Sequence, residues 1–223
     1  MNSVEKNIHT IEDPIEYEIE GINQTQTDPV HGIDFAVGLR ALLRADPDVI
    51  LIGESRDKET AQAAVNSALT GHLVLTTLHA NDCMRAVTRL LSMGVAPYLL
   101  ADSLAMSQAQ RLVRRLCTYC KRPVAASSDF QRLLAKQGLI EAPLTNPIYE
   151  GNGCPECHNS GFHGRVALME MCMVGPKLQD LISRDRPQSE LRQIAAKSGV
   201  LTLYQEGLLE VIKGTTTLKE ISP

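Results

Sequence analysis

Two Cys-x-x-Cys pairs, Cys117/Cys120 and Cys154/Cys157, stand 33 residues apart in a chain of 223. Each pair bends the backbone so that two sulfurs converge on one point, and two such bends complete a tetrahedral four-sulfur site. Any fold this chain adopts must therefore bring residues 117–120 and 154–157 side by side. Two disulfides or a redox dithiol are the other readings of the pattern. Met1 to Lys6 contain no apolar stretch of the export-signal type, and in a reducing compartment paired thiols hold metal rather than disulfides. Soft thiolates select zinc over magnesium or calcium. Four of them leave no open coordination position, so Zn2+ is expected to be structural. Turn formers flank the second pair in Gly153-Cys154-Pro155 and Asn159-Ser160-Gly161. Cys83 and Cys172 have no partner at ligand spacing and read as buried thiols. His158 and His163 lie beside a ligand set that is already complete.

Upstream of the cysteines, strand and helix patterns alternate. Ile8–Ile11 is a short β-type run closed by Glu12-Asp13-Pro14, and residues 22–27 form a second candidate strand. Phe35, Leu39, Leu42 and Leu43 recur at helical spacing before Pro47. Val49-Ile50-Leu51-Ile52-Gly53 is a continuous apolar run, as in a strand buried on both faces of a parallel sheet, and it ends in Glu54. Ala61, Ala64, Val65, Ala68 and Leu69 mark a helix with Asp57 at its N-cap and Gly71 just beyond its end. A strand over 73–78 runs into His79, and helical patterns follow at 82–93 and 98–110. This alternation predicts an open α/β sheet. Ligands of such sheets bind outside the carboxyl ends of the strands, where Glu12, Glu54 and His79 all fall.

The pattern changes after Leu116. A short helix-like stretch at 130–136 lies between the cysteine pairs, 161–171 reads as a return strand, and the chain is helical from Pro176 with breaks at Pro187 and Gly199. Thr217-Leu218-Lys219-Glu220 has the spacing of a capping box. The expected division is a core over 1–111, a cysteine subdomain over 112–171 and a helical subdomain over 172–223.

Composition bounds the function. Hydrophobic residues make up 43% and charged residues 22%, as in globular proteins, and no apolar run reaches the roughly 18 residues of a membrane helix. A net charge of -4, no Trp and only three Phe argue against a nucleic-acid surface. The basic run Arg111, Arg114, Arg115 reads either as a finger toward a neighbouring subunit's phosphate or as a face paired with the chain's own acids. Carboxylates at strand tips such as Glu12, Asp13 and Glu54 hold metal-bound water or polarise an attacking water, or else are solvated loop groups. His72, before a strand, and His79, at its end, read as phosphate-sensing groups or as histidines satisfied by backbone.

Taken together, these segments resemble the ATPases of type II secretion and type IV pilus assembly. Thr10 to Tyr17 resembles that family's aspartate box, Asp46 to Glu54 its Walker B strand, and Leu69 to Asn81 its histidine box. Gln110 to Cys117 leads into the tetracysteine element, and Gly153 to Glu170 matches its second half. Gly207-Leu208 and Gly214 to Leu218 also fit. The resemblance implies a RecA-like, mostly parallel sheet flanked by helices, with the zinc subdomain and C-terminal helices appended. It implies that Glu12 orients or deprotonates the attacking water, with Asp13 and Glu16 in the same box, and that Glu54 binds Mg2+ through water. Arg56 and Asp57 would continue the Walker B signature at the ATP site. His72 and His79 would couple that site to domain movement. The tetracysteine element suggests the assembly or secretion branch rather than the retraction motors.

The resemblance further implies a homo-hexameric ring at the cytoplasmic face of the inner membrane. The ring would be held there through an inner-membrane platform protein and would drive pilin or pseudopilin assembly. Two departures stand out. Ser55 replaces a usually apolar residue, and no GxxxxGK[ST] phosphate loop occurs within the 223 residues. The chain is therefore expected to be part of a longer motor and to hydrolyse little ATP alone. The alternative is a zinc-bearing docking module for the platform protein, without catalysis of its own.

Overall fold

The computed structural model describes residue 2 and residues 5–222. The chain forms two compact units, one from residues 1–107 and 173–197, the other from 108–172 and 198–223. The C-terminal helices are thus shared between the units. One pair joins the first unit and the other joins the second.

The first unit is built on a four-stranded, all-parallel sheet. Its strands are β1 (Ile8–Glu12), β2 (Asn23–Gln26), β3 (Val49–Ile52) and β4 (Leu73–Thr76), in the spatial order β2-β1-β3-β4. Helix α1 (Phe35–Leu42) starts where the Asp34 carboxylate accepts the Val37 N–H at 2.7 Å. Helix α2 (Lys58–Leu69) starts on Asp57 as expected. Register fixes the two faces of the sheet. Ile11 lies beside Ile52, and Ile50 beside Val74. With Phe35, Leu39 and Leu42 of α1 and Ala64 of α2, these residues form one apolar core. The opposite face carries Thr10 beside Leu51, and Leu51 beside Leu75. There Leu73 and Leu75 remain 44% and 38% exposed.

Helices α3 (Cys83–Ser92) and α4 (Pro97–Ser103) follow. The helix expected to continue to residue 110 stops at Ser103, and Met106–Leu116 is strand β5. Leu104 turns extended at the helix end, and Ser107 and Ala109 are buried between exposed neighbours, a period of two rather than 3.6. The partner of β5 is β8 (Phe162–Met173), far along the chain, so local periodicity carried no sign of the pairing. Helices α6 (Pro176–Ser183) and α7 (Gln188–Lys197) return to the first unit, where α6 packs on α4 and α7 on α3.

In the second unit, β6 (Lys121–Val124) and β7 (Ile148–Gly151) form an antiparallel pair around helix α5 (Ser128–Lys136). Phe130 and Leu134 of α5 pack on Leu208 and Val211 of α8 (Leu203–Ile212). The chain closes with one turn of helix, α9 (Leu218–Ile221). The capping box expected there does not form. Thr217 Oγ1 is buried without a hydrogen bond, the Glu220 N–H goes to Thr217 C=O at 3.1 Å, and the Glu220 carboxylate turns to Arg114 instead of back to the helix start.

Candidate functional site

Because all four strands run the same way, their carboxyl ends share one edge. Gly53 N–H donates to Ile11 C=O at 2.8 Å, which sets the ends of β1 and β3 side by side. Glu12 closes β1, and Glu54 follows β3 by two residues. Beyond β4, Ser55 N–H reaches Thr77 C=O at 3.0 Å, and Thr77 Oγ1 donates to Gly53 C=O at 2.5 Å. These bonds hold the loop ending in His79 against the loop carrying Glu54.

Glu54 has a side chain only 14% exposed, and both its oxygens are occupied. Oε1 pairs with the Arg56 guanidinium, and Oε2 lies 3.1 Å from Nε2 of His79. The Arg56 hydrogen bond holds the Glu54 carboxyl below its ordinary pKa; burial opposes it, and the charges of Arg56 and His79 reinforce it. Glu54 is therefore ionised at neutral pH. Glu12 differs. Its Oε1 accepts from Thr10 Oγ1 at 2.5 Å and from Gln24 Nε2 at 3.0 Å. Both bonds fall on the same oxygen. Asp13 adds its charge to the field that raises the Arg56 pKa, behind the larger effect of the Glu54 hydrogen bond.

Not every expected residue joins this edge. Asp57 is occupied as the cap of α2, accepting Thr60 N–H at 2.8 Å and Thr60 Oγ1–H at 3.1 Å. Glu16 is exposed on the loop after β1. His72 lies at the amino end of β4, on the opposite edge of the sheet, where its Nδ1 is 3.0 Å from Ser67 O and 3.1 Å from Thr70 Oγ1. That contact matches the backbone-satisfied reading of an isolated histidine. Ser55, the departure from the Walker B pattern, is buried with its Oγ 3.0 Å from Thr76 Oγ1, so the hydroxyl is satisfied inside the sheet edge. Sequence reasoning missed Gln24. It lies in the polar run Asn23-Gln24-Thr25-Gln26, and only the parallel register with Thr10 brings it to Glu12.

The four cysteines form the second site. β6 leaves Cys120 and β7 leads into Gly153-Cys154, and the pairing of Lys121 with Gly151 brings the two Cys-x-x-Cys bends together. All four Sγ atoms lie within 4.8 Å of one another. Cys117–Cys154 and Cys120–Cys157 are 3.8 Å apart, and Cys154–Cys157 is 3.6 Å. A tetrahedral metal with sulfur bonds of about 2.3 Å needs sulfurs about 3.8 Å apart, whereas a disulfide needs about 2.05 Å. The spacing fits a metal and not two disulfides. Gly161 is part of this geometry. At φ +77° its N–H donates to Cys157 Sγ at 3.2 Å, and its C=O receives Cys117 N–H at 3.0 Å. Burial raises the Cys157 thiol, but the N–H groups of Cys154 and Gly161 outweigh it and bring the pKa down to about 6. Burial drives Cys154 the other way, to about 12. Thiols this close do not all ionise until a cation joins them.

The basic run is partly explained. Arg114 donates from Nε and Nη2 to the two oxygens of Glu220 at 2.8 and 2.5 Å, and its guanidinium lies 4.3 Å from the centre of the Phe162 ring. It is thus paired with an acid of its own chain. Arg111 and Arg115 are exposed.

One unit is a parallel α/β sheet with carboxylates gathered on its carboxyl edge, where such sheets bind their ligands, and the other unit carries a four-thiol cluster spaced for a metal. Comparison with known proteins agrees. The family model described as "Type II/IV secretion system protein" matches residues 1–223, and the chain belongs to that family. It is 46% identical over 218 residues to the type IV pilus assembly ATPase PilB of Thermus thermophilus, covering 97% of this chain and 24% of that protein. It is 44% identical over 221 residues to the type II secretion system ATPase E of Vibrio cholerae, covering 99% of this chain and 43% of that protein. The chain thus spans about a quarter of the one relative and less than half of the other. Among solved structures, the pilus retraction motor PilT with bound ADP superposes with a TM-score of 0.67 at 27% identity, over 98% of this chain and 53% of that one. Among the described residues, no helix is long and apolar enough to cross a membrane.

Proposed function

We propose that this chain is the part of a secretion or pilus-assembly ATPase that supplies the reaction carboxylates, acting with polypeptide that carries the phosphate-binding loop. One observation carries the reading: Glu12 and Glu54 share one edge of the parallel sheet, each in a different hydrogen-bonding state. Glu54, held ionised by Arg56 and His79, suits the water shell of Mg2+. Glu12, with both donors on one oxygen, suits the acceptance of a proton from an attacking water. His79 would report the state of that edge to the loop after β4. Glu16 and His72 are assigned no contact with nucleotide. The names of the relatives, an assembly ATPase and a secretion ATPase, support a motor that builds a pilin or pseudopilin fibre. We extend this to a hexameric ring held at the cytoplasmic face of the inner membrane by a platform protein.

The four cysteines would hold one Zn2+, which supplies no chemistry to the reaction and fixes the β6–β7 hairpin. Hydrolysis assays test the motor reading. The 223-residue chain alone should turn over ATP negligibly. The longer protein that carries both this chain and its phosphate loop should be active. In that protein Glu54→Gln and Glu12→Gln should each lower kcat by on the order of a hundredfold or more. Rapid turnover by the chain alone that Glu54→Gln abolishes would defeat the partial-motor reading. Full activity of both variants would defeat the assignment of the carboxylates.

A further inference from the structure

We infer that Gln24 is a positioning residue for Glu12: it commits one carboxylate oxygen and ties that carboxylate to the loop over residues 15–20. The inference rests on the proposed role of Glu12.

The arrangement follows from register. β2 pairs with β1 so that Gln24 lies beside Thr10, and Gln26 beside Glu12. Residues two apart on a strand share a face, so Thr10, Glu12 and Gln24 point the same way. Gln24 Nε2 donates to Glu12 Oε1 at 3.0 Å and to Tyr17 C=O at 3.0 Å, while its Oε1 accepts Ile19 N–H at 2.7 Å. These three partners fix the amide orientation. Only the oxygen can meet the Ile19 N–H, so the NH2 group must face Glu12. Thr10 Oγ1 donates to the same Glu12 oxygen, because a carboxylate offers it no hydrogen. Among the described residues, no hydrogen bond reaches Glu12 Oε2. The carboxylate is oriented by two donors on one side, and the lone pairs of the other oxygen stay available for a proton.

The same carboxamide makes Glu12 sensitive to the loop. Tyr17 is 81% exposed and Ile19 49%, yet the backbone of both is bonded to Gln24. A contact that shifts this loop would move the Gln24 plane and, with it, a donor to Glu12. The alternative is that Gln24 only fastens the loop and Glu12 is indifferent to it.

Gln24→Glu separates the two. It keeps the oxygen that holds the Ile19 N–H, the part of the tether that the Ile19 amide reads, but places a carboxylate oxygen where the NH2 faced Glu12 and the Tyr17 C=O. Gln24→Met removes both functions. Amide exchange of Ile19 is measured in the 223-residue chain, and kcat and KM for ATP in the longer protein that carries its phosphate loop. The expected result for Gln24→Glu is retained Ile19 protection, a kcat lowered on the order of tenfold and a KM within about twofold. Gln24→Met should lose both protection and kcat. If Gln24→Glu keeps full kcat while Glu12→Gln is inactive, the positioning role is overturned. It is equally overturned if Gln24→Glu loses activity and Ile19 protection together, since the loop tether then accounts for the loss. Full activity of Glu12→Gln is a separate result, and it removes the carboxylate assignment from which this inference starts.

Discussion

At the tip of β3, a single missing methyl group keeps the carboxylate edge together. A Cβ built on Gly53 would lie 3.2 Å from Ile11 O, 3.3 Å from Glu12 Cα and 3.4 Å from the Phe35 ring. Two of these neighbours are backbone and cannot rotate away. Gly53→Ala should therefore push Glu12 out of position and destabilise the chain by about 1–3 kcal/mol, the usual range for overpacking. Thermal unfolding of the chain reads the stability, and the Ile19 amide reads the disturbance at Glu12. Arg114 shows a second case in which one side chain has several tasks. It binds Glu220 through two hydrogen bonds and lies over Phe162. With its side chain 57% exposed and its charge screened by solvent, Arg114→Met should lower stability only slightly. The effect should depend on pH. The Arg114 hydrogen bond lowers the Glu220 carboxyl below its ordinary value. Its contribution is complete above the unfolded carboxylate pKa of about 4.3 and is lost as pH falls through the lower folded value. Stability curves of Arg114→Met and the unmodified chain should therefore converge in acid. A constant gap down to pH 2 would assign the arginine's role to packing on Phe162.

Among the elements, the parallel strands and their flanking helices could be read from sequence because their signals are local. The Val49–Ile52 run, the Asp57 cap and the glycine after α2 each act within a few residues of themselves. The same holds for the tetracysteine hairpin, whose spacing is itself the constraint. β5 could not be read, because its partner β8 lies about fifty residues on and a mixed run such as Met106–Leu116 also suits a helix. The failed cap at Thr217 has the same cause: a distant arginine takes the glutamate that local spacing assigns to the helix. Glu12 and Glu54 could be placed on one edge in advance, but Gln24 carries no motif and is found only through the β1–β2 register. For the hairpin, elemental analysis should find about one zinc per chain. Stripping the metal with a strong chelator, or replacing Cys120 by Ser, should lower the melting temperature and loosen the amides of 117–121 and 152–161. Among structural zinc sites such ligation contributes folding energy directly. A metal-free chain with unchanged melting would refute a structural site.

Across the whole molecule, the polypeptide passes between the two units three times, near residues 107, 172 and 197. Strands β5 and β8 both run through a crossing. Neither unit is a continuous stretch of chain. The sheet unit owns α6 and α7, and the cysteine unit owns α8 and α9, although all four helices follow one another in sequence. The second unit therefore cannot be inherited, lost or exchanged as a cassette by a single recombination event. A lineage that dispensed with its cysteines would have to keep the hairpin's framework or rebuild the carboxyl terminus at the same time.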